Sequence, residues 1–529
     1  MTLDQKAWGR TEAHVAIALA ILFALVFAAT ASLTGTGPFL YSLDDTYIHL
    51  AVAEEILAGN YGINPGEAAA ASSSPLYPFL LAGLLALGLG TWAPLALNAL
   101  ATALSLRLAF AIWRAAGLAL PQLAIGRASA IGIVFVLALN LVGLAFTGME
   151  HSLQTTLALA ALLGLVRFAA RGRVDAWWIV VLIAQTAIRY EGLAIAAAGA
   201  LALILARRFA IAGLVVAGGV GILAAFGAFL VSLGLPPAPS SVLVKGGDVA
   251  TSSGIGGRLS ALAENAIENL TDRPGILFLM FAIGFACVAL RPRGVAAEPA
   301  ARIARSVGLF VGAVVLAHLL VGRFGWGQRY EAYALTLAMV ALPAAFPLRF
   351  AALAAGRDAA ALTVALVVTA MAFERNVQAT LESATGARNV YLQQYQMHRL
   401  AVDYLQAPVA VNDLGWVSFR NRSYVLDLWG LGSERARRAR LAKAGPDWMD
   451  ALARERGVKA ALIYDSWLPE RPARWVKLGE LRQRGKLVTI SDRTVAVYAI
   501  DPADAPALRA KLDAWAATLP KRATFTPAP

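Results

Sequence analysis

Residues 15–57 read VAIALAILFALVFAATASLTGTGPFLYSLDDTYIHLAVAEEIL. Up to Leu33 the stretch is apolar and matches the length of about 20 residues that a helix needs to cross a bilayer. A short polar connection then leads to Asp44 and Asp45, after which Ile48, Ala51, Val52, Ile56 and Leu57 recur at helical spacing. The acid pair therefore stands at the start of an amphipathic helix, just beyond a membrane span. Acids are favoured there by the helix dipole, so one reading is a cap on a helix lying along the membrane. One acid suffices for a cap, so the other reading is chemistry at the membrane face.

The composition extends the membrane reading to most of the chain. The 529 residues are 59% hydrophobic and 15% charged, against about 25% charged in soluble domains. Residues 1–374 read as a polytopic all-α transmembrane domain, and 375–529 as a soluble α/β domain. The net charge of +13 does not mark a nucleic-acid binder. Many of its basic residues lie between apolar runs, as in cytoplasmic loops, rather than on one soluble face. The single cysteine, Cys287, excludes an intrachain disulfide and a multi-cysteine metal site. The first apolar run is long for the apolar region of a signal peptide and reads as an uncleaved helix.

Candidate spans lie at about 15–33, 93–113, 128–146, 152–168, 176–188, 192–206, 209–232, 274–290, 304–321, 331–347 and 358–373. By length they give about 11 crossings. Lys6, Arg10, Arg171, Arg173, Arg207, Arg208, Arg291, Arg293 and Arg349 all fall on one side, taken as cytoplasmic with the N-terminus. The tail then lies outside. Residues 76–90 read as a juxtamembrane helix, or as part of one bent helix with 93–113. This topology gathers ionisable residues on the outer face, where they are functional candidates. They come from the first loop (Asp44, Asp45, His49, Glu54, Glu55, Glu67), from 147–151, from 189–192, from the 233–273 loop with Lys245 and Asp248, and from 323–331.

In the tail, Tyr391–Leu405 reads as a helix, and 409–411, 424–426 and 460–463 as strands. Residues 487–490 and 494–500 read as a hairpin. A last helix over 504–517 has Asp504 as its cap, and residues 521–529 read as frayed.

Acids and cations on one side suit sugar transfer from a phosphate leaving group. A carboxylate takes the proton of the attacking hydroxyl, while cations hold the departing phosphate. A single displacement inverts the anomeric centre and needs one base.

The stretch Asp44-Asp45-Thr46-Tyr47-Ile48, with Gly59-Asn60-Tyr61-Gly62, Asn64-Pro65-Gly66 and Ser73-Ser74-Pro75-Leu76-Tyr77, resembles the first loop of the GT-C glycosyltransferases. It most resembles the branch of mycobacterial terminal arabinofuranosyltransferases and their bacterial relatives. The likeness continues, more loosely, at Thr147-Gly148-Met149-Glu150, at Arg189-Tyr190-Glu191-Gly192, at Gln328-Arg329-Tyr330, and in the tail at 409–415 and 427–431. The resemblance implies a membrane-embedded active site, a polyprenyl-phosphate sugar donor and an acceptor outside the cytoplasmic membrane: an envelope glycan, glycolipid or protein. It implies a multi-pass protein of the bacterial inner membrane. It implies that a first-loop acid, Asp44 or Asp45, is the catalytic base, with Glu150 as a second acid. The outer domain is short for that branch, so arabinofuranose, another pentose and a hexose all stay open.

Arg189 is the leading candidate for the donor phosphate, since arginine binds phosphate bidentately. An ion pair with Glu191 is its plain alternative. Arg329 and Lys245 are further candidates, with snorkelling or a solvated loop as alternatives. Tyr47, His49, His151 and Glu191 would line the site. Acids with His49 or His151 could hold a divalent metal. No tight ligand spacing marks one, and no cofactor is taken as essential. Trp326, Trp416 and Trp429 could stack on sugars, although core or interface packing explains such residues as well. No phosphate loop for ATP is present. The competing function is a transporter or flippase of a lipid-linked saccharide, for which internal repeats would be expected. A glycan-binding assembly protein with a dead site is the third reading.

Overall fold

The computed structural model describes residues 3–35, 37–118, 125–245, 254–290, 299–349 and 359–529. Asp248, Arg291 and Arg293 lie outside these residues, as does the side chain of Lys245. The fold is mostly helical, with several apolar helices and one sheet near the C-terminus. The chain divides into two compact units. The first comprises Met1–Phe27, Leu95–Ala225 and Thr251–Leu381; the second comprises Ala28–Pro94, Phe226–Ala250 and Glu382–Pro529.

Five helices among the described residues are long and apolar enough to cross a membrane: Trp8–Thr34, Gly90–Ala115, His151–Arg171, Phe209–Ser232 and Pro299–Val321. Shorter apolar helices are Tyr77–Ala86, Ala176–Ile188, Gly192–Leu205 and Ala332–Ala345. Small residues let some helices of the first unit approach closely. Gly308 and Gly312, one helical turn apart, face Arg273–Ala289; a Cβ on Gly308 would stand 2.8 Å from the Phe285 carbonyl oxygen. Such spacing of small residues is a common device of helix contacts in lipid.

Several sequence expectations are corrected. The run 128–146 is two helices, Ile125–Ala138 and Leu141–Phe146, because Asn140 adopts a left-handed φ of 52°. Asn tolerates that conformation, and its Oδ1 accepts from Thr380 Oγ1 (2.8 Å). Of the two readings of residues 76–90, the one bent helix with 93–113 is not found, and the separate helix is. Tyr77–Ala86 is a separate ten-residue helix, ended by Gly88 at φ 84° and a 3₁₀ turn at Gly90–Trp92. Its length of about 15 Å is half the hydrocarbon thickness. The loop read at 233–273 contains a helix, Gly254–Leu270, which bends by 105° into Arg273–Ala289. The run 358–373 opens a 34-residue helix, Ala359–Leu392, that passes the 374/375 position without a break.

The second unit holds a six-stranded sheet: β1 (Val409–Val411), β2 (Val425–Asp427), β3 (Ala460–Ile463), β4 (Val476–Gln483), β5 (Thr494–Ala499) and β6 (Ala523–Pro527). Their order is β2-β1-β3-β5-β4-β6. β1 is parallel to both β2 and β3, while β5, β4 and β6 are antiparallel. The hairpin partner of β5 is β4, not residues 487–490, which form no strand; the Val488 N–H is taken by Asn389 Oδ1 (2.9 Å). A register shift between Lys477 and Gly479 interrupts the alternation that would have announced β4. The expected fray at 521–529 is instead β6, paired along β4. The helix at 391–405 is a continuation of Ala359–Leu392 through Gln394–Arg399 and a π-helical turn at Leu400–Leu405. The last helix is Ala505–Ala516, and Asp504 does not cap it by its side chain. Asp501 accepts from Ala503 N–H instead, and Asp504 pairs with Lys459 (3.1 Å).

Candidate active site

The helix Asp45–Leu57 begins at the acid pair, as its periodicity predicts. Asp44 occupies the position before the first helical residue, yet its side chain makes no capping bond to that helix. Its Oδ1 accepts instead from the backbone N–H of Trp416 (2.9 Å), in a turn that follows β1. Gly415 makes this approach feasible, because a Cβ there would collide with the Asp44 carboxyl group. Asp44 is 7% exposed, and its Oδ2 accepts no well-formed hydrogen bond from the described residues. A simple cap therefore does not account for Asp44.

A second acid joins it. Asp413 lies two residues past the C-terminal end of β1, the middle strand of the parallel part of the sheet. Its Oδ2 accepts from Gln394 Nε2 (3.0 Å) and from Tyr464 Oη (3.1 Å). Burial holds the Asp44 carboxyl well above the usual range, and the charge of Asp413 adds to the effect. Burial likewise lifts Asp413 to about 6, against the Gln394 hydrogen bond and with help from the nearby Asp45. Asp45 itself is half-buried. The three carboxylates thus act on one another electrostatically. Among the described residues no group of three or more His, Cys, Asp or Glu is placed to hold a metal ion.

Tyr47 and His49 share the first-loop helix with the acids. The Tyr47 hydroxyl accepts from Tyr41 N–H (3.1 Å), and its ring centre lies 4.2 Å from that of Trp416. His49 Nδ1 bonds Ser72 Oγ (3.0 Å), and its ring meets Tyr77 edge-on. Both are buried and pack the helix in place. Trp416 is core as well, 4% exposed, whereas Trp429 is half-buried beneath the Arg440 guanidinium (3.9 Å from the ring centre).

In the first unit, three turns that the sequence singled out come together. Glu150 ends its turn fully buried, and its Oε1 accepts from Arg189 Nη1 (2.5 Å). The turn is pinned by Asn98, whose Nδ2 donates to the Met149 carbonyl (3.0 Å). Arg189 lies between the short helices Ala176–Ile188 and Gly192–Leu205 and also grips Glu191, with Nη2 at 2.7 Å and Nε at 3.1 Å. The ion-pair alternative for Arg189 is therefore observed, with two carboxylates rather than one. Arg329 is 1% exposed; its Nη2 donates to Tyr330 Oη (3.2 Å), and it lies over the Tyr330 ring. That ring is 6.1 Å from His151. Residues 325–328, including Trp326 (φ 50°) and Gln328 (φ 56°), all have positive φ, a strain that functional loops often carry.

The sequence reading did not single out Asp413, Gln394 or Tyr464. The available signal was an Asn-Asp pair at the carboxyl end of a short apolar strand, where open α/β sheets bind ligands.

A family described as "Domain of unknown function (DUF8728)" matches residues 388–498. No curated protein matches the chain. Among solved structures, the chain is similar to the Archaeoglobus fulgidus oligosaccharyltransferase in complex with Zn and sulfate: 11% identity over 96% of this chain and 75% of that one, TM-score 0.49. It is similar to ArnT from Cupriavidus metallidurans bound to undecaprenyl phosphate, with 13% identity over 92% of this chain and 98% of that one, TM-score 0.41. It is also similar to the Archaeoglobus fulgidus oligosaccharyltransferase AglB in complex with an inhibitory peptide and a dolichol-phosphate, with 9% identity over 96% and 76%, TM-score 0.42.

Proposed function

We propose that this chain is a membrane glycosyltransferase of the GT-C type. It moves a sugar from a polyprenyl-phosphate carrier to an envelope glycan, glycolipid or protein, with inversion. The observation that carries the proposal is the Asp44 carboxylate. It gives its own helix no side-chain cap, is fixed at one oxygen by Trp416, and has no well-formed hydrogen bond from the described residues at the other. The first-loop resemblance supports it independently. In the reaction Asp44 takes the acceptor hydroxyl proton, the acceptor oxygen bonds the anomeric carbon, and the carbon–oxygen bond to phosphate breaks with its electrons on the phosphate. The charge of the adjacent Asp45 raises the proton affinity of that base. Arg189, held by Glu150 and Glu191, and Arg329 are the cations assigned to the donor phosphate, with Lys245 as a further candidate. Residues 1–374 form the membrane portion, with the N-terminus cytoplasmic and 375–529 outside.

The test is release of free polyprenyl phosphate by full-length protein in nanodiscs, over a panel of radiolabelled polyprenyl-phosphate sugars and envelope acceptors. Wild type is expected to release it, and Asp44→Asn to lose at least a hundredfold, the lower end of what positioned proton transfer contributes (about 10²–10⁴). Movement of the lipid between leaflets without cleavage would replace the transferase with a transporter.

A further inference from the structure

We propose that Asp413, rather than the adjacent Asp45, is the positioning residue that sets the charge on Asp44, and that Asp44 and Asp413 hold one proton between them at rest. The inference deepens the transferase reading and takes Asp44 as its base.

The geometry supplies the argument. Asp413, Gly415 and Trp416 belong to one short turn, and the same turn clamps the Asp44 carboxyl group between the Trp416 N–H and the Gly415 Cα. Asp413 cannot swing away, because Gln394 and Tyr464 both hold its Oδ2. Tyr464 is anchored in turn: its N–H donates to Asn412 Oδ1 (3.0 Å), and its hydroxyl lies 2.7 Å from Gln393 Oε1, which shares the one hydroxyl proton with Asp413 Oδ2. Two carboxyl groups fixed in this way cannot both ionise cheaply. The Asp44 Oδ2 is buried and has no well-formed hydrogen bond from the described residues, so it is an atom that a proton would satisfy.

The other groups that act on the pair are Asp45 and Tyr47 from the first-loop helix, Tyr464 after β3, and Asp427 at the end of β2. The charge of Asp413 weighs more on Asp44 than that of Asp45. Asp413 is half-buried, whereas Asp44 is buried, so Asp413 is the member that can exchange its proton with water. In the reactive form the proton rests on Asp413 and Asp44 is ionised. When Asp44 takes the acceptor hydroxyl proton the pair carries two, and one returns to solvent through Asp413. The pair therefore restores its base without opening the buried carboxylate.

The test is infrared difference titration of full-length protein in nanodiscs, following the carbonyl band of protonated carboxyl groups. No sugar is required, so a protein that proves not to be a transferase still gives an answer about the pair. Wild type is expected to keep a protonated carboxyl well above the ordinary carboxyl range, because burial and the paired charge disfavour the second ionisation. Asp413→Asn should lower the remaining titration by about one unit or more, the size expected of coupled sites. Asp44→Asn should lower the Asp413 titration reciprocally. Asp45→Asn should move either by less, and Asp413→Glu should restore the band. If Asp413→Asn fails to fold, the Asp44→Asn titration reads the same coupling from the other side. A wild-type band gone by about pH 4, the ordinary carboxyl value, would overturn the pairing. So would an Asp44→Asn band that titrates as in wild type.

Discussion

Arg189 is tied into the fold by two carboxylates at once. It joins Glu150, which is fully buried, to Glu191, and its own side chain is 10% exposed. Removing one member of a buried pair strands the other charge. Arg189→Ala is therefore expected to destabilise the first unit by about 3–5 kcal/mol, read as a lower unfolding midpoint in detergent. The double variant with Glu150→Gln should recover part of that loss. If the double variant is no better than the single, the pair is not what stabilises these turns. At this scale the sequence was informative about identity and silent about partnership. Asp44, Glu150, Arg189 and Arg329 stand out because charges flanking apolar runs are costly. The donor to Asp44 sits 372 positions away, at Trp416. Neither periodicity nor spacing carries such a separation, so Asp413, held in the same turn, escaped notice.

Whole elements were legible where hydropathy decides them. Phe209–Ser232 and Ala176–Ile188 begin and end where their apolar runs do. Elements whose signal is local geometry were not. Asn140 splits a continuous apolar run, and a register shift hides β4. β6 pairs along β4 and cannot be read from the tail alone. The edge of β2 belongs to this group, and it is closed in an unusual way. Asn64, in the first loop, donates from Nδ2 to the Val425 carbonyl (3.0 Å) and accepts at Oδ1 from the Val425 N–H (2.8 Å). One side-chain amide thus replaces a neighbouring strand at that point. Asn64→Ala would leave both backbone groups of the buried Val425 without partners, a cost of about 1–3 kcal/mol for each stranded group. Slowed hydrogen exchange at Val425 that survives the substitution would show that another group covers the edge.

Across the whole molecule, the second unit is assembled from three separate stretches of chain. The helix Asp45–Leu57 packs on the turn at Gly415–Ser418, and the ring of Tyr47 lies against that of Trp416. Residues 382–529 expressed alone are accordingly expected to lose cooperative unfolding, monitored by tryptophan fluorescence during a thermal melt. A sharp transition in that fragment would mean that the tail folds independently. The bond between Asn64 and Val425 also bears on inheritance. A first loop that completes the edge of a distant sheet cannot drift on its own: a change in the loop has to be matched by one in the strand. Recombination between relatives that exchanged only the front of the gene would separate two halves of one hydrogen-bonded pair, so the loop and the tail should descend together.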